Sequence, residues 1–198
     1  MTQSLTPPRR DRWADWAVIG VLVLALLLGS AVVALADRQT NVYTNDAAGL
    51  TVSYPQGWLV KPAEFLAFQA VDPNAGEFKT TYQVQTVPVV AGEPVTSTLA
   101  AALNSLSIGR AQGQTAYRLF DLVEGQPMDG QPTMEATYAY VLASNDLFSQ
   151  RMPVVVQGLD IAANKGDQAV IFSLLASKDA FAAAEQDFRR FVAAAELR

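Results

Sequence analysis

Any chemistry in this chain has to be done without histidine or cysteine, because neither occurs among its 198 residues. That removes the Ser-His-Asp arrangement, the thiolate nucleophile and the ordinary zinc and haem sites together. Carboxylate, lysine, serine and tyrosine chemistry remains. Asp121, Glu124 and Asp129 surround one predicted hairpin and could bring carboxylates together around calcium. Calcium takes about six to eight oxygens, however, and their spacing matches no calcium-loop motif, so they read as solvated turn residues. Asp160 and Asp167 flank a second hairpin but are separated along its arms, which leaves no catalytic pair. Trp58 follows the turn Pro55-Gln56-Gly57, where a tryptophan packs back on a core more often than it anchors an interface. Tyr138 and Tyr140 share one strand face, as core or as the lining of a ligand pocket. No enzymatic constellation emerges, so the expectation is a non-enzyme with no catalytic, cofactor-binding or metal-binding residues.

The elements that would position any site begin with a membrane signal. Trp16 to Ala36 runs without a charged residue between Asp15 and Asp37. As a helix it extends roughly 30 Å, the thickness of a bilayer's hydrocarbon core. Arg9, Arg10 and Arg12 precede it, and only Arg38 follows closely. The positive-inside rule then puts the N-terminus in the cytoplasm and everything after Asp37 on the extracytoplasmic, or periplasmic, side of the cell membrane. Trp13 and Trp16, one turn apart, suit the headgroup level. Ala17, Val21, Ala25 and Gly29 lie four apart on one ridge, a spacing through which a partner helix can approach closely. The rival reading is a cleavable signal peptide ending at Ala34-Leu35-Ala36. Signal cores run about 7–15 apolar residues, shorter than this run, which favours a retained anchor.

The rest of the composition narrows the class. Fourteen basic and 19 acidic residues leave a net charge of −5, with no basic cluster beyond the N-terminus, which argues against nucleic acid. The chain divides into a cytoplasmic tail (1–12), a transmembrane helix (13–36), a linker (37–48) and one domain (49–198), with an edge strand conceivable around Asn41–Thr44 inside the linker. In the domain, strand patterns cover Leu50–Tyr54, Phe65–Val71 and Thr80–Val87. A helix capped by Thr96 or Ser97 then presents Leu99, Leu103 and Leu106, and Gly109 and Gly113 end it. Two hairpins follow, Thr115–Val123 with Thr133–Ala143 and Met152–Ala162 with Gln168–Leu175, the second turning at Asn164-Lys165-Gly166-Asp167. Ser177 caps a last helix with Phe181, Ala184, Phe188, Val192 and Ala195 on one stripe. Hairpins impose antiparallel pairing and amphipathic helices must cover the sheet, so the class is α+β.

The stretch Gly49–Trp58, GLTVSYPQGW, resembles the opening signature of the PsbP-like family, an aromatic strand running into Y-P-x-G-W. The ending is also similar: a strand over Ala169–Leu175, a short turn, then a helix carrying Phe188, Phe191 and Val192. The likeness extends over residues 41–198 and implies an α/β/α sandwich around an antiparallel sheet. It also implies a non-catalytic role, since the family's members are mostly extrinsic or tethered proteins that assist larger assemblies, the photosynthetic oxygen-evolving complex among them. Plant members carry histidine-containing regions connected with metal or ion retention, and with no histidine here no such site carries over. Bacterial relatives are often lipoproteins, whereas here a helix would replace the lipid. The expected role is thus an anchored accessory subunit of a photosynthetic or respiratory membrane complex, partnered by its other subunits and the lipid bilayer. The alternative is a tethered or secreted domain holding a small ligand or lipid.

Overall fold

A computed structural model of the chain describes residues 9–36, 39–89, 92–143 and 152–198, with side chains in the first helix described over 15–29. Two compact units result, Met1–Thr40 and Asn41–Arg198. The first is the helix α1, Arg9–Ala36. Its side chains from Asp15 to Gly29 are exposed along their whole length, and that run rises about 22 Å. Among the described residues no helix is long and apolar enough to cross a membrane.

The second unit is built on a seven-stranded antiparallel sheet. Its strands are β3 (Leu59–Val60), β4 (Phe68–Val71), β5 (Thr81–Pro88), β6 (Thr115–Glu124), β7 (Thr133–Leu142), β8 (Val154–Lys165) and β9 (Gln168–Ser177), in the spatial order β3-β4-β5-β9-β8-β7-β6. β8 and β9 are joined by the two-residue turn Gly166-Asp167, with Gly166 at φ 61°, the left-handed geometry that suits a tight hairpin. β5 then pairs with β9 along its length, Gln83 opposite Ser173. A smaller sheet holds β1 (Thr40–Asn45), β2 (Leu50–Pro55) and β10 (Glu196–Leu197) in the order β1-β2-β10. β1 occupies part of the expected linker, and β3 and β10 are too short to leave a periodic signal.

Two helices, α2 (Val95–Gly113) and α3 (Lys178–Ala193), cover opposite faces of the large sheet. Strand alternation sorts the residues between them. Leu159, Phe172, Leu174, Tyr82 and Val84 go to the α3 side, where they meet Phe188, Phe191 and Val192. Ala162, Ile171, Ala136 and Met134 go to the α2 side, against Leu99 and Leu103. Tyr82 sits among three rings, with centroids 4.4 Å from Trp58, 4.9 Å from Phe191 and 5.2 Å from Phe188. Trp58 therefore does pack on the core, though it is only half-buried.

Several boundaries differ from expectation for identifiable reasons. α2 starts one turn's edge earlier than Thr96 or Ser97 would cap it. Pro94 is the N-cap, and Thr98 turns its hydroxyl back to the Pro94 carbonyl at 2.8 Å. Gly109 does not end α2, which runs through it to Gly113. Ser177 stands at the N-cap of α3 without a side-chain hydrogen bond. β4 begins only at Phe68, leaving Phe65 in solvent. Ala195 is buried, as its stripe required, but past the helix, where the chain turns into β10. There Arg198 N donates to Gly49 O at 2.8 Å, and Lys165 Nζ donates to Ala48 O and Gly49 O at 2.6 and 2.9 Å. Gly49 lies at φ 54° between them, leaving no room for a Cβ.

Candidate functional site

β8 reads VVVQGLDIAA around Asp160, and the pleat sends that carboxylate into the α2 face of the sheet. An isolated carboxylate there would be strongly disfavoured. Arg110, from the last turn of α2, answers it with both terminal nitrogens. Nη1 makes a close ion pair with Oδ2, and Nη2 reaches Oδ1 at 3.2 Å and Ser173 Oγ at 3.4 Å. Tyr138 of β7 donates its hydroxyl to Asp160 Oδ1 at 3.3 Å, and the guanidinium lies 4.4 Å over the same ring. Gly158, opposite Tyr138 in β8, makes this possible, since a Cβ there would run into the ring. Tyr117 packs 5.5 Å from Tyr138 and donates to Ser107 Oγ at 2.9 Å, closing the cluster from β6 to α2.

The electrostatics of this cluster hold protons in place. Burial opposes the Arg110 charge, but Asp160 more than offsets it and keeps the guanidinium charged. Burial, then the Asp160 charge, push the Tyr138 phenol well above its ordinary value; burial raises Tyr140 likewise, and burial followed by Asp187 raises Tyr82. These phenols ionise more readily unfolded than folded, so the stability their neutral forms confer persists up to about pH 10 and is lost as pH rises further. In a spectrophotometric titration at alkaline pH, two of the six tyrosines, Tyr82 and Tyr138, should therefore ionise only together with unfolding. Six phenolates appearing reversibly in the folded protein would contradict this assignment. Chemically the cluster is a fastening of α2 to the four strands β6, β7, β8 and β9, with its carboxylate, guanidinium and phenols committed to one another.

A second charged group lies on the other face. Glu135 of β7 is buried on the α3 side and receives a two-pronged contact from Arg189, at 2.9 and 2.8 Å, while Glu185 takes the same arginine at 3.0 Å. The β6–β7 loop folds over the group. Gly125 N donates to Thr133 O, and Gln126 O accepts from Thr133 Oγ1 at 2.8 Å. A small hollow of about 150 Å³ remains between that loop and the end of α3, lined by Met128, Glu135, Arg189 and Val192 among others.

With this architecture in place, comparison with solved structures becomes informative. The solution structure of cyanobacterial PsbP (CyanoP) from Synechocystis sp. PCC 6803 superposes with a TM-score of 0.60, covering 80% of this chain and 92% of that one at 14% identity. The fold is PsbP-like. The Saccharomyces cerevisiae Ran-binding protein Mog1p is a weaker match, with a TM-score of 0.49 and 11% identity over 80% of this chain and 95% of that one. No protein-family model matches the sequence, and neither does the sequence of any curated protein.

Within the PsbP-like fold the residues singled out from sequence scatter. Asp121 accepts a long bond from Thr137 Oγ1 at 3.4 Å, Glu124 points to solvent at the end of β6, and Asp129 sits at φ 50° in the loop. Among the described residues, no three carboxylates group so as to hold a metal ion. Asp160 and Asp167 are apart, as expected, but Asp160 is a buried ion-pair partner and Asp167 an exposed turn residue. Tyr138 and Tyr140 are core residues, buried with Val156. On α1, Trp16, Ala17, Val21, Ala25 and Gly29 are exposed, and the Trp13 side chain lies outside the described residues. Sequence reading missed Arg110 and Glu135. The available signal was a carboxylate in mid-strand between apolar neighbours, Leu159-Asp160-Ile161, which needs a cation from elsewhere.

Proposed function

We propose that this protein is a non-catalytic accessory subunit of a larger membrane complex. The helix over Trp16–Ala36 anchors it, and the PsbP-like domain faces the extracytoplasmic side. One observation carries the reading: a charge-free apolar run long enough to span a bilayer joins a separately folded domain. The side chains exposed along α1 need an apolar environment, and the small ridge Ala17, Val21, Ala25, Gly29 suits a neighbouring helix. The domain's buried acids are paired with arginines and its buried phenols stay protonated, an arrangement that favours holding shape over turnover. The family analogy makes photosynthetic or respiratory complexes the leading hosts, and it bears on fold more than on role.

Mild-detergent purification of the full chain from its native membranes tests this, with identification of what travels with it. A multi-subunit complex should co-purify, and replacing Ala25 and Gly29 by leucine should weaken that association while the domain's circular dichroism stays unchanged. Because the chain has no cysteine, single cysteines report topology without background. One at Ser4 should react only from the cytoplasm and one at the exposed Ser105 only from outside. A wild-type chain that runs alone, or a mature N-terminus at Asp37, would overturn the reading.

A further inference from the structure

We propose that the α3-side face of β6 and β7 is a homodimer interface, covered by the same face of a second copy of this chain. The inference does not depend on how the chain is anchored. α3 lies over β8 and β9, which leaves the outer part of the sheet open on that side. Leu119 and Leu122 turn to the α2 side, so Arg118 and Val123 turn the other way. Phe120 and Asp121 share that open face where β6 shifts register against β7. The Arg118 guanidinium lies 5.8 Å over the Phe120 ring, which places the ring on the same side. The face continues across the sheet, since the register sets Ala139 of β7 opposite Arg118 and Val155 of β8 opposite Val141. Phe120 is 49% exposed, Val123 52% and Val155 42%. Apolar groups gathered on one open sheet face call for a cover.

Charge selects a second copy as that cover. Among the described residues Arg118 makes no ion pair, and Asp121 receives one long bond, from Thr137 Oγ1 at 3.4 Å. The two stand on one face of one strand, either side of Leu119 and Phe120. A two-fold axis running between two such faces, perpendicular to the strands, lays β6 antiparallel over β6 of the second copy. Each Arg118 then meets the Asp121 of the other copy, and the two Phe120 rings meet near the axis. That is the reciprocal pattern an isologous contact requires. Sheets packed about 10 Å apart leave both charged side chains within reach of each other. Three strands of ten residues offer a footprint of roughly 14 by 33 Å, below the about 800 Å² per partner of standard interfaces. Association is therefore expected to depend on protein concentration.

Sedimentation of the full chain in density-matched non-ionic detergent, over a range of concentrations, tests this. The wild type should pass from monomer to dimer as concentration rises. Arg118→Asp sets two aspartates together at both contacts and Asp121→Arg two arginines, so each should raise the dimer dissociation constant roughly tenfold or more. The double variant, Arg118→Asp with Asp121→Arg, should restore dimerisation, because the two-fold exchanges the two positions. Phe120→Lys should abolish the dimer, and replacing Ala25 and Gly29 by leucine should leave it intact. All the domain substitutions are at exposed positions, so circular dichroism should stay unchanged. A wild type that remains monomeric at every concentration leaves the face to a different protein and overturns the inference. So does a dimer that survives Phe120→Lys, or single charge reversals whose effect the double variant does not repair.

Discussion

Asp160→Ala is expected to destabilise the domain by about 3–5 kcal/mol, because it strands a buried guanidinium without its counter-charge. Arg110 is 13% exposed and Asp160 only 2%, so water cannot take over for the lost partner. After the substitution, Ser173 Oγ is the side-chain acceptor left within reach of the guanidinium among the described residues. Arg110→Ala should cost a similar amount, leaving the carboxylate, among the described residues, with the Tyr138 hydroxyl as its side-chain donor. The informative variant is the double one, Arg110→Met with Asp160→Leu. Burying two charges costs about as much as their attraction returns, so an apolar pair of similar volume should recover most of the stability. Guanidinium unfolding of the detergent-solubilised chain, followed by circular dichroism, measures all three. Single-variant losses under about 1 kcal/mol would mean that the pair is solvated and that α2 is held by Leu99 and Leu103 alone.

Phe188→Ala is expected to cost about as much, roughly 3–5 kcal/mol, by leaving a cavity between α3 and the sheet. Phe188 is fully buried, with its ring 5.2 Å from Tyr82 and 5.9 Å from Phe191. Those rings are themselves packed on Phe68, Phe172 and Trp58, so none can move in without opening a gap elsewhere. Phe181, one end of the same stripe and only half-buried, should cost under about 2 kcal/mol when truncated. The same unfolding titration distinguishes them. Equal losses at 181 and 188 would show that α3 is held by its whole stripe rather than by its C-terminal half.

Parts of this architecture were legible because they are decided within a few residues. The β6–β7 and β8–β9 hairpins follow from alternation and from turn residues that permit a left-handed backbone, as at Gly166. The existence of α2 and α3 follows from stripes such as Leu99-Leu103 and Phe188-Val192, whose period is a property of the helix itself. The charge-free run from Trp16 to Ala36 and the absence of histidine and cysteine belong to the sequence alone.

Tertiary structure decided the rest, because the partners are distant along the chain and no local preference selects them. The pairing of β5 with β9 sets Gln83 against Ser173, which puts strands from the two halves of the domain side by side. β10, two residues long, exists only because Thr51 and Leu50 are there to receive it. Asp160 looked like a hairpin-arm carboxylate, and its meaning depends on Arg110, fifty residues earlier on a helix whose face was not fixed until the sheet closed beneath it. Glu135 likewise waits for Arg189, fifty-four residues later. A period tells a strand which of its side chains share a face, whereas burial and charge pairing depend on which element comes to lie over that face.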